Sequence, residues 1–497
     1  MGRPDSQLWE RLFDVRSSDP RPLQSQIRIA VVDAILGGVL PSGSAAPSSR
    51  ELARSLKVSR NTVILAYQQL VDDGYLVSRE RSGFSVAANP PASMAQLPRS
   101  PPPAPVKGAQ PAQWDRRFRV RSSAFRSIVK PSDWQSYPYP FLYGQFDSAL
   151  FPIADWRQCC RQALSVMELK DWAPDKIDED DPLLIEQLRT RILPRRGIWA
   201  QPEEIMITLG AQQALYLLAD LLFRRDSVVG IEDPGYPDMR NIAALRCDHV
   251  PLLPVDRDGL VPGRDMAVCD YVYVTPSHQC PTTVTMPLDR RTELLAEGTR
   301  RGTVFIEDDY ESETRLAVTP LPALKSLDTD GRVIYIGSLS KVLAPGLRLG
   351  FIVAQPDLIQ EARALRRLMV RHPPFNNQRT TALFLSLGHY EALVGRLAQV
   401  FSERSDVLRD ALARHMPEFT VSEDSGGSSL WLEGPAGFDA EATADRARAE
   451  GLLIEPGSVF FGRKGAGHRC FRLGYSSVPV ERIEPGIALL ARCARQE

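Results

Sequence analysis

VIYIGSLSKVLAPGLRLG, residues 333–350, decides how this chain is read. A continuous apolar run, VIYI, gives way to small residues around one lysine, Lys341, with one arginine, Arg348, seven positions on. A short apolar run of this kind reads as a strand buried on both faces. The same pattern recurs upstream: IMIT (205–208) before LGAQQAL, VVGI (228–231) before EDPGYP, YVYV (271–274) before TPSHQ, and VFI (304–306) before EDDYESE. Each instance is a strand, then an unusual polar loop, then helix-compatible sequence. The alternation predicts a mostly parallel α/β sheet covered by helices. Ligands bind such sheets at the carboxyl ends of the strands, so one site can collect all five loops.

Taken singly, each loop has a plain reading: a solvated lysine, an acidic helix cap, a glycine-containing turn. Together they specify a chemistry. A lysine amine among small, non-anionic neighbours, as in SLSKVLAPG, suits Schiff-base formation with an aldehyde. Pyridoxal 5'-phosphate supplies an aldehyde, and it demands an acid at the ring nitrogen, a donor at the phenolic oxygen, an aromatic stacking face and a phosphate cradle. All four have candidates here.

The N-terminal stretch has a different character. In PLQSQIRIAVVDAIL, Ile27, Val31, Ala34 and Ile35 recur at helical spacing. Ser48 and Glu51 form a capping-box pattern opening a short helix with Leu52 and Leu56 inward. After a turn at LKVS, Ser59 is placed as the N-cap of a further helix whose Val63, Ala66, Tyr67, Leu70 and Val71 form one stripe. Asn61, Thr62, Leu65 and Gln68 fall on the opposite face. With Arg60, they give a polar surface of the size the DNA major groove admits. YLVSRERSGFSVA then reads as two β-prone pieces around a charged turn, a wing whose Arg79, Arg81 and Ser82 can meet phosphate or minor groove. Candidate DNA contacts are therefore Arg50, Ser59, Arg60, Asn61, Thr62 and Gln68 with those wing residues. A small helical bundle with a solvated polar face is the alternative.

Composition sets outer limits. A chain of 497 residues is long enough for more than one core. A formal net charge of −1 gives no whole-chain sign of nucleic-acid or membrane affinity, so any basic surface must be local. The cysteines number seven, with no CxxC, which points to neither a disulfide framework nor a metal site and fits a reducing cytoplasm. No apolar run has the length of a membrane span. Residues 89–111 are proline-rich and poor in large apolar side chains, the composition of an extended spacer. The basic stretch after it, residues 114–130, reads as a solvated face or as a dock onto acidic sequence such as DKIDEDD (175–181), with DNA phosphate as a further option. The domains expected are a DNA-binding unit at 20–88, a linker at 89–139 and a large unit at 140–497, divided into a large part (about 170–370) and a smaller C-terminal α/β part (about 375–497).

On the motifs P-S-S-R-E-L-A, V-S-R-N-T-V, A-Y-Q-Q-L and D-G-Y-L, residues 21–87 resemble the winged helix-turn-helix of the GntR superfamily. Lys57 stands where that family often has glycine. On S-L-S-K with its arginine, E-D-P-G-Y-P, I-E-D-D-Y and F-R-L-G-Y, residues 140–490 resemble a fold-type I pyridoxal-phosphate aminotransferase. The whole chain resembles the MocR/GabR transcriptional regulators. That resemblance implies that Lys341 carries the Schiff base, that Ser338 and Arg348 bind the phosphate with Gly210, Ala211 and Gln212, and that Tyr236 stacks on the ring. It further implies Asp308 at the pyridine nitrogen, with Asp309 as runner-up, Tyr310 at the phenolic oxygen, and Arg472 on the carboxylate of an amino-acid ligand. For Arg472 a buried structural ion pair is the alternative. Where active aminotransferases have asparagine before Pro-Thr-Gly, this chain has S-H-Q-C-P-T-T: Cys280 takes the asparagine place and His278 is the candidate substitute. The family's tyrosine-glycine segment is replaced by D-E-D-D-P-L-L near residue 180.

The implied function is a cytoplasmic homodimeric regulator that binds paired half-sites on double-stranded DNA. It senses a small amino compound by aldimine exchange at Lys341. The alternatives are a working aminotransferase and a direct sensor of pyridoxal phosphate. G-Q-F-D-S-A-L-F-P, D-D-P-L-L-I-E-Q-L-R and R-H-P-P-F-N-N-Q-R resemble the ectoine-utilisation regulators, implying a diaminobutyrate-type effector and control of ectoine or amino-acid catabolic genes.

Overall fold

In the computed structural model, residues 21–79, 83–91, 112–311, 321–422 and 426–495 are described. The chain divides into two units, Met1–Phe118 and Arg119–Glu497.

In the first unit, three helices, α1 (Leu23–Leu36), α2 (Ser49–Ser55) and α3 (Arg60–Asp72), precede an antiparallel hairpin of β1 (Leu76–Arg79) and β2 (Gly83–Val86). The apolar spacing explains the packing: Ile27, Val31, Leu52, Val63, Ala66, Tyr67 and Leu70 are buried together. Val71 is only half-buried, at the margin of that stripe. Both caps form, with Ser48 Oγ accepting from Glu51 N and Ser59 Oγ accepting from Thr62 N. A Ser or Thr cap contributes about 1 kcal/mol to its helix. Lys57 adopts a φ of 53°, the left-handed conformation that glycine usually supplies. The Tyr67 hydroxyl donates to the Pro47 carbonyl at 3.1 Å, so its burial leaves no polar group unmet.

The five apolar runs of the second unit are all strands: β3 (Ile205–Thr208), β4 (Val229–Asp233), β7 (Tyr271–Val274), β8 (Val304–Asp309) and β9 (Val333–Ser338). Joined by β5 (Leu252–Asp256), β6 (Gly259–Leu260) and β10 (Gly350–Val353), they form one sheet in the order β3-β10-β9-β8-β7-β4-β5-β6. The sheet is mixed rather than wholly parallel. β10 runs antiparallel to both β9 and β3, and two reversals in succession return β3 to the common direction. Every loop that follows one of the five runs therefore emerges at the same sheet edge.

Period-two alternation divides the side chains between the faces. Tyr273, Ile306, Ile334 and Ile336 pack on one side with helix α4 (Gly210–Leu222), while Val272, Val274, Phe305 and Val333 pack on the other. A second, antiparallel sheet, β11 (Thr420–Val421), β12 (Ser429–Glu433), β13 (Glu455–Pro456) and β14 (Cys470–Gly474), has the order β11-β12-β14-β13. Gly474 touches the chain at Leu142 and Tyr143 so closely that a Cβ there would lie 2.4 Å from their backbone atoms. That contact brings the 141–144 segment to the end of β14.

The acidic stretch 175–181 carries buried carboxylates that pair with arginines of the second unit. Asp180 pairs with Arg363 and Arg366, and Asp181 with Arg379 at 2.7 Å. These arginines are fixed on helices and lose little entropy on pairing. Helix Phe375–Ser386 is bonded through Arg379 and Gln378 to Asp181.

Candidate ligand-binding site and nucleic-acid face

The five loops meet at a cavity of about 320 Å³ whose wall includes Gly210, Ala211, Gln212, Tyr236, Cys280, Asp308, Tyr310, Ser338, Lys341, Arg348 and Arg472.

Lys341 lies just beyond β9, with its Nζ 4.2 Å from the Tyr143 ring centroid. Gly144, at a φ of +65°, leaves room for it: a Cβ there would stand 2.3 Å from Nζ. Burial, and then the charge of Lys130, lowers the Lys341 pKa to about 8. About a tenth of the amine is then neutral at pH 7, against roughly 3 in 10,000 for an ordinary lysine. Because only the neutral amine is nucleophilic, capture of an aldehyde at this lysine is expected to speed up with pH and level off above pH 8. Stopped-flow absorbance across pH 6–10 measures this, and a rate still climbing tenfold per unit at pH 10 would contradict the lowered value.

Consecutive carboxylates on β8 point to opposite faces. Asp308 lines the cavity, accepts from the Tyr273 hydroxyl at Oδ2 (2.9 Å), and has a buried Oδ1 without a hydrogen-bond partner among the described residues. Burial pushes its pKa up to about 7 against the bond from Tyr273. Asp309 is held on the other face by Arg196 at 2.7 Å and the Tyr335 hydroxyl at 2.8 Å. Tyr310 follows on the cavity wall, its ring 6.2 Å from that of Tyr143.

At the opposite end the cavity meets the start of α4. Its N-cap, Leu209, provides no side-chain cap, and Gly210 takes a φ of +76°. The first N–H groups of such a helix favour an anion. Arg348 reaches over them from a left-handed position (φ 52°), Nη2 donating to the Leu209 carbonyl at 3.2 Å. A Cβ on Gly210 would come within 3.0 Å of that Nη2, so glycine permits the approach. Ser338 and Ser340 complete this end of the wall. The Tyr236 hydroxyl donates to Gln212 Oε1 at 2.8 Å, tying the ring to the same helix.

Arg472 stands on β14, buried, with its guanidinium 4.1 Å from the Tyr143 ring centroid and 4.8 Å from that of Phe460. Its Nε donates to Glu455 Oε2 at 2.8 Å, so the ion pair anticipated as the alternative is present while the arginine also faces the cavity. His278 is not brought to the wall. The loop after β7 is anchored by Gln279, which donates to Glu232, Pro234 and Cys280 oxygens. The imidazole lies 3.4 Å from Glu311 with its ring centroid 6.0 Å from that of Tyr310, and Cys280 is the residue of this loop that lines the wall. Burial raises the Cys280 thiol to about 12, so it stays neutral. Lys130, Tyr143, Tyr273 and Glu455 complete the surroundings, and none of them was named as a site residue from the sequence. Only the Y-G pair of L-Y-G-Q-F carried a signal, the small residue against which an amine can lie.

On the first unit, Arg50, Ser59, Arg60, Asn61 and Gln68 are exposed, as is Leu65, while Thr62 is half-buried. The Ser59 hydroxyl is engaged with Thr62 N and Oγ1. Arg60 Nε reaches Ser49 Oγ at 3.5 Å across the turn. Arg79 ends β1; Arg81 and Ser82 lie outside the described residues.

A strand-bounded helix-turn-helix and a sheet whose loops assemble an anion cup, a lysine and a buried carboxylate define a regulator joined to an aminotransferase-type domain. The comparisons agree. Residues 23–86 match the bacterial regulatory proteins of the gntR family, and residues 181–490 match aminotransferase class I and II. The chain is 43% identical over 95% of its length to the HTH-type transcriptional regulator TauR of Rhodobacter capsulatus, covering 96% of that protein. It is 29% identical over 94% of its length to the probable rhizopine catabolism regulatory protein MocR of Rhizobium meliloti, covering 92% of it. Among solved structures it resembles LysN, the α-aminoadipate aminotransferase of Thermus thermophilus complexed with N-(5'-phosphopyridoxyl)-L-leucine, with a TM-score of 0.68, 29% identity, and coverage of 77% of this chain and 98% of that one. The chain belongs to the transcriptional regulators that fuse a GntR-type helix-turn-helix to a class I and II aminotransferase domain.

That fold implies pyridoxal phosphate, and the residues fit it on their own geometry. The unpartnered Oδ1 of Asp308 suits a ring nitrogen, the uncapped start of α4 with Arg348 suits a phosphate, and the Lys341 amine faces the same space. Among the described residues no group of His, Cys, Asp and Glu is arranged to hold a metal, and no helix is long and apolar enough to cross a membrane.

Proposed function

We propose that this protein is a pyridoxal-phosphate-dependent, DNA-binding transcriptional regulator that senses an amino compound at Lys341. The observation that carries the reading is the presence, in one chain, of an exposed polar helix start at Arg60–Asn61 and a cavity in which Lys341, Asp308 and Arg348 converge. The cofactor supplies an aldehyde that condenses with primary amines. Lys341 holds it, Arg348 and the start of α4 orient its phosphate, Asp308 keeps the ring nitrogen charged, and Tyr236 and Tyr310 bound the ring. Arg472 takes the acidic group of the effector. The genes proposed as targets are those of ectoine or amino-acid catabolism.

The working form proposed is a cytoplasmic homodimer. Val166, Met167 and Leu368, each at least 75% exposed, are the kind of surface a second copy covers. Two readers held by one dimer bind paired half-sites more tightly through effective concentration, without new contacts. Operator affinity is therefore expected to rise with a second half-site at the right spacing and to change when an amine effector is added. Fluorescence anisotropy with one and two half-sites, with and without effector, measures both. Affinity indifferent to each would remove the regulatory reading. Turnover is the second reading, favoured by the convergence of Lys341, Asp308 and Arg472; release of a keto acid from an amino acid would establish it. A response to cofactor alone would instead mark a direct sensor.

A further inference from the structure

Lys130 belongs to the basic stretch that follows the spacer, yet its side chain is only 28% exposed and lines the same cavity as Lys341 and Arg472. Its ammonium lies 3.3 Å from Glu455 Oε1, donates to the Tyr143 carbonyl, and stands 5.7 Å from the Tyr143 ring centroid. The segment is built in, not draped. Arg126 Nη2 donates to the Ser458 carbonyl at 2.6 Å, and Asn241 Nδ2 donates to the Arg126 carbonyl at 2.9 Å.

The charges here do not cancel. Glu455 bonds Arg472 through Nε and balances it one for one, which alone would leave a neutral pair with little pull on an anion. Burial would raise the Glu455 pKa, but Arg472 and Lys130 outweigh it and hold the carboxyl below its ordinary range. Within this trio Lys130 then adds a positive charge that Glu455 does not balance, held against the burial that lowers its own pKa by the same Glu455. The arrangement is also directional: both cations line the cavity, and the carboxylate sits behind them.

We propose that Lys130 and Arg472, backed by Glu455, form a two-cation receptor for the anionic head of the effector, and that Lys130 is the residue that selects amino acids over diamines. This rests on the reading of the cavity as an amine-sensing site and names the ligand class: a primary amine carrying an acidic group. Glu455 is a positioning residue, holding Arg472 by Nε so that its remaining N–H groups face the ligand.

The test is titration of the cofactor-loaded full chain with matched probes, 4-aminobutanoate and L-glutamate against 1,4-diaminobutane, following the visible cofactor band. The wild type is expected to respond to the amino carboxylates at concentrations at least tenfold lower than to the diamine. Lys130→Met is expected to shrink the ratio between diamine and carboxylate half-saturation concentrations by about tenfold or more, a ratio in which any change in the reactivity of Lys341 itself cancels. Lys130→Arg is expected to retain the preference. Glu455→Gln added to Lys130→Met restores the net charge and is expected to recover part of the lost ratio, a rescue that a purely structural lysine would not give. A band that no probe shifts, equal response to diamine and carboxylates, an unchanged ratio in Lys130→Met, or absence of the rescue overturns this inference and leaves the cofactor site standing. Absence of any cofactor band removes the underlying reading itself.

Discussion

Lys341→Ala is expected to abolish covalent capture of pyridoxal phosphate completely. Borohydride reduction of the wild type should leave about one cofactor mass per chain on the peptide containing Lys341, and the variant should leave none. The argument is local. Among the residues that line the cavity only Lys130 also bears an amine, and that amine is engaged with Glu455 and the Tyr143 carbonyl. The lowered Lys341 pKa makes it reactive near neutral pH. The fold should survive, since the substitution removes a positive charge from a site where burial already disfavours it. Thermal unfolding and far-ultraviolet circular dichroism check that half of the prediction. A variant that still carries reduced cofactor would place the reactive amine elsewhere, with Lys130 the first residue to examine.

Asn61→Ala is expected to weaken specific operator binding by about 1–3 kcal/mol, the worth of a lost base contact. Asn61 is exposed in the first turn of α3, while Val63, Ala66, Tyr67 and Leu70 hold that helix from the other side. Removing the amide therefore leaves the core and the Ser59 cap untouched. Arg60→Ala should act differently: as a phosphate contact it lowers affinity on all sequences and reduces the salt slope by about one. Binding isotherms at several salt concentrations, on operator and on scrambled DNA, separate the two. If neither substitution changes either quantity, α3 is not the helix that enters the groove.

The strands were legible because their signal is local: three or four apolar residues followed by a polar loop need no knowledge of the rest of the chain. The common edge of those loops was legible for the same reason, through a general property of such sheets. What was not legible depends on long-range geometry. Lys130 reads as one more basic residue in a basic stretch, and only the folding of that stretch against Ser458 and Asn241 carries it into the cavity. His278 and Cys280 are two residues apart in one loop, and periodicity cannot say which lines the wall; the fold puts Cys280 there, with His278 beside Tyr310 and Glu311. β10 was missed because Gly350–Val353 follows the lysine loop directly, where the arginine and glycines read as part of the turn.

Strand β8 ends in three acids in a row, Glu307, Asp308 and Asp309. The outer two are committed on one face: Glu307 accepts from Leu324 N and Lys325 N, each at 2.8 Å, and Asp309 pairs with Arg196. A slip of one residue would send both of them to the other face and strand a buried guanidinium without its counter-charge. Glu307 and Asp309 thus act as a proofreading pair for the strand. Of three chemically similar side chains, only the middle one can arrive in the cavity, and its unclaimed oxygen is where the chain leaves an opening for something other than itself.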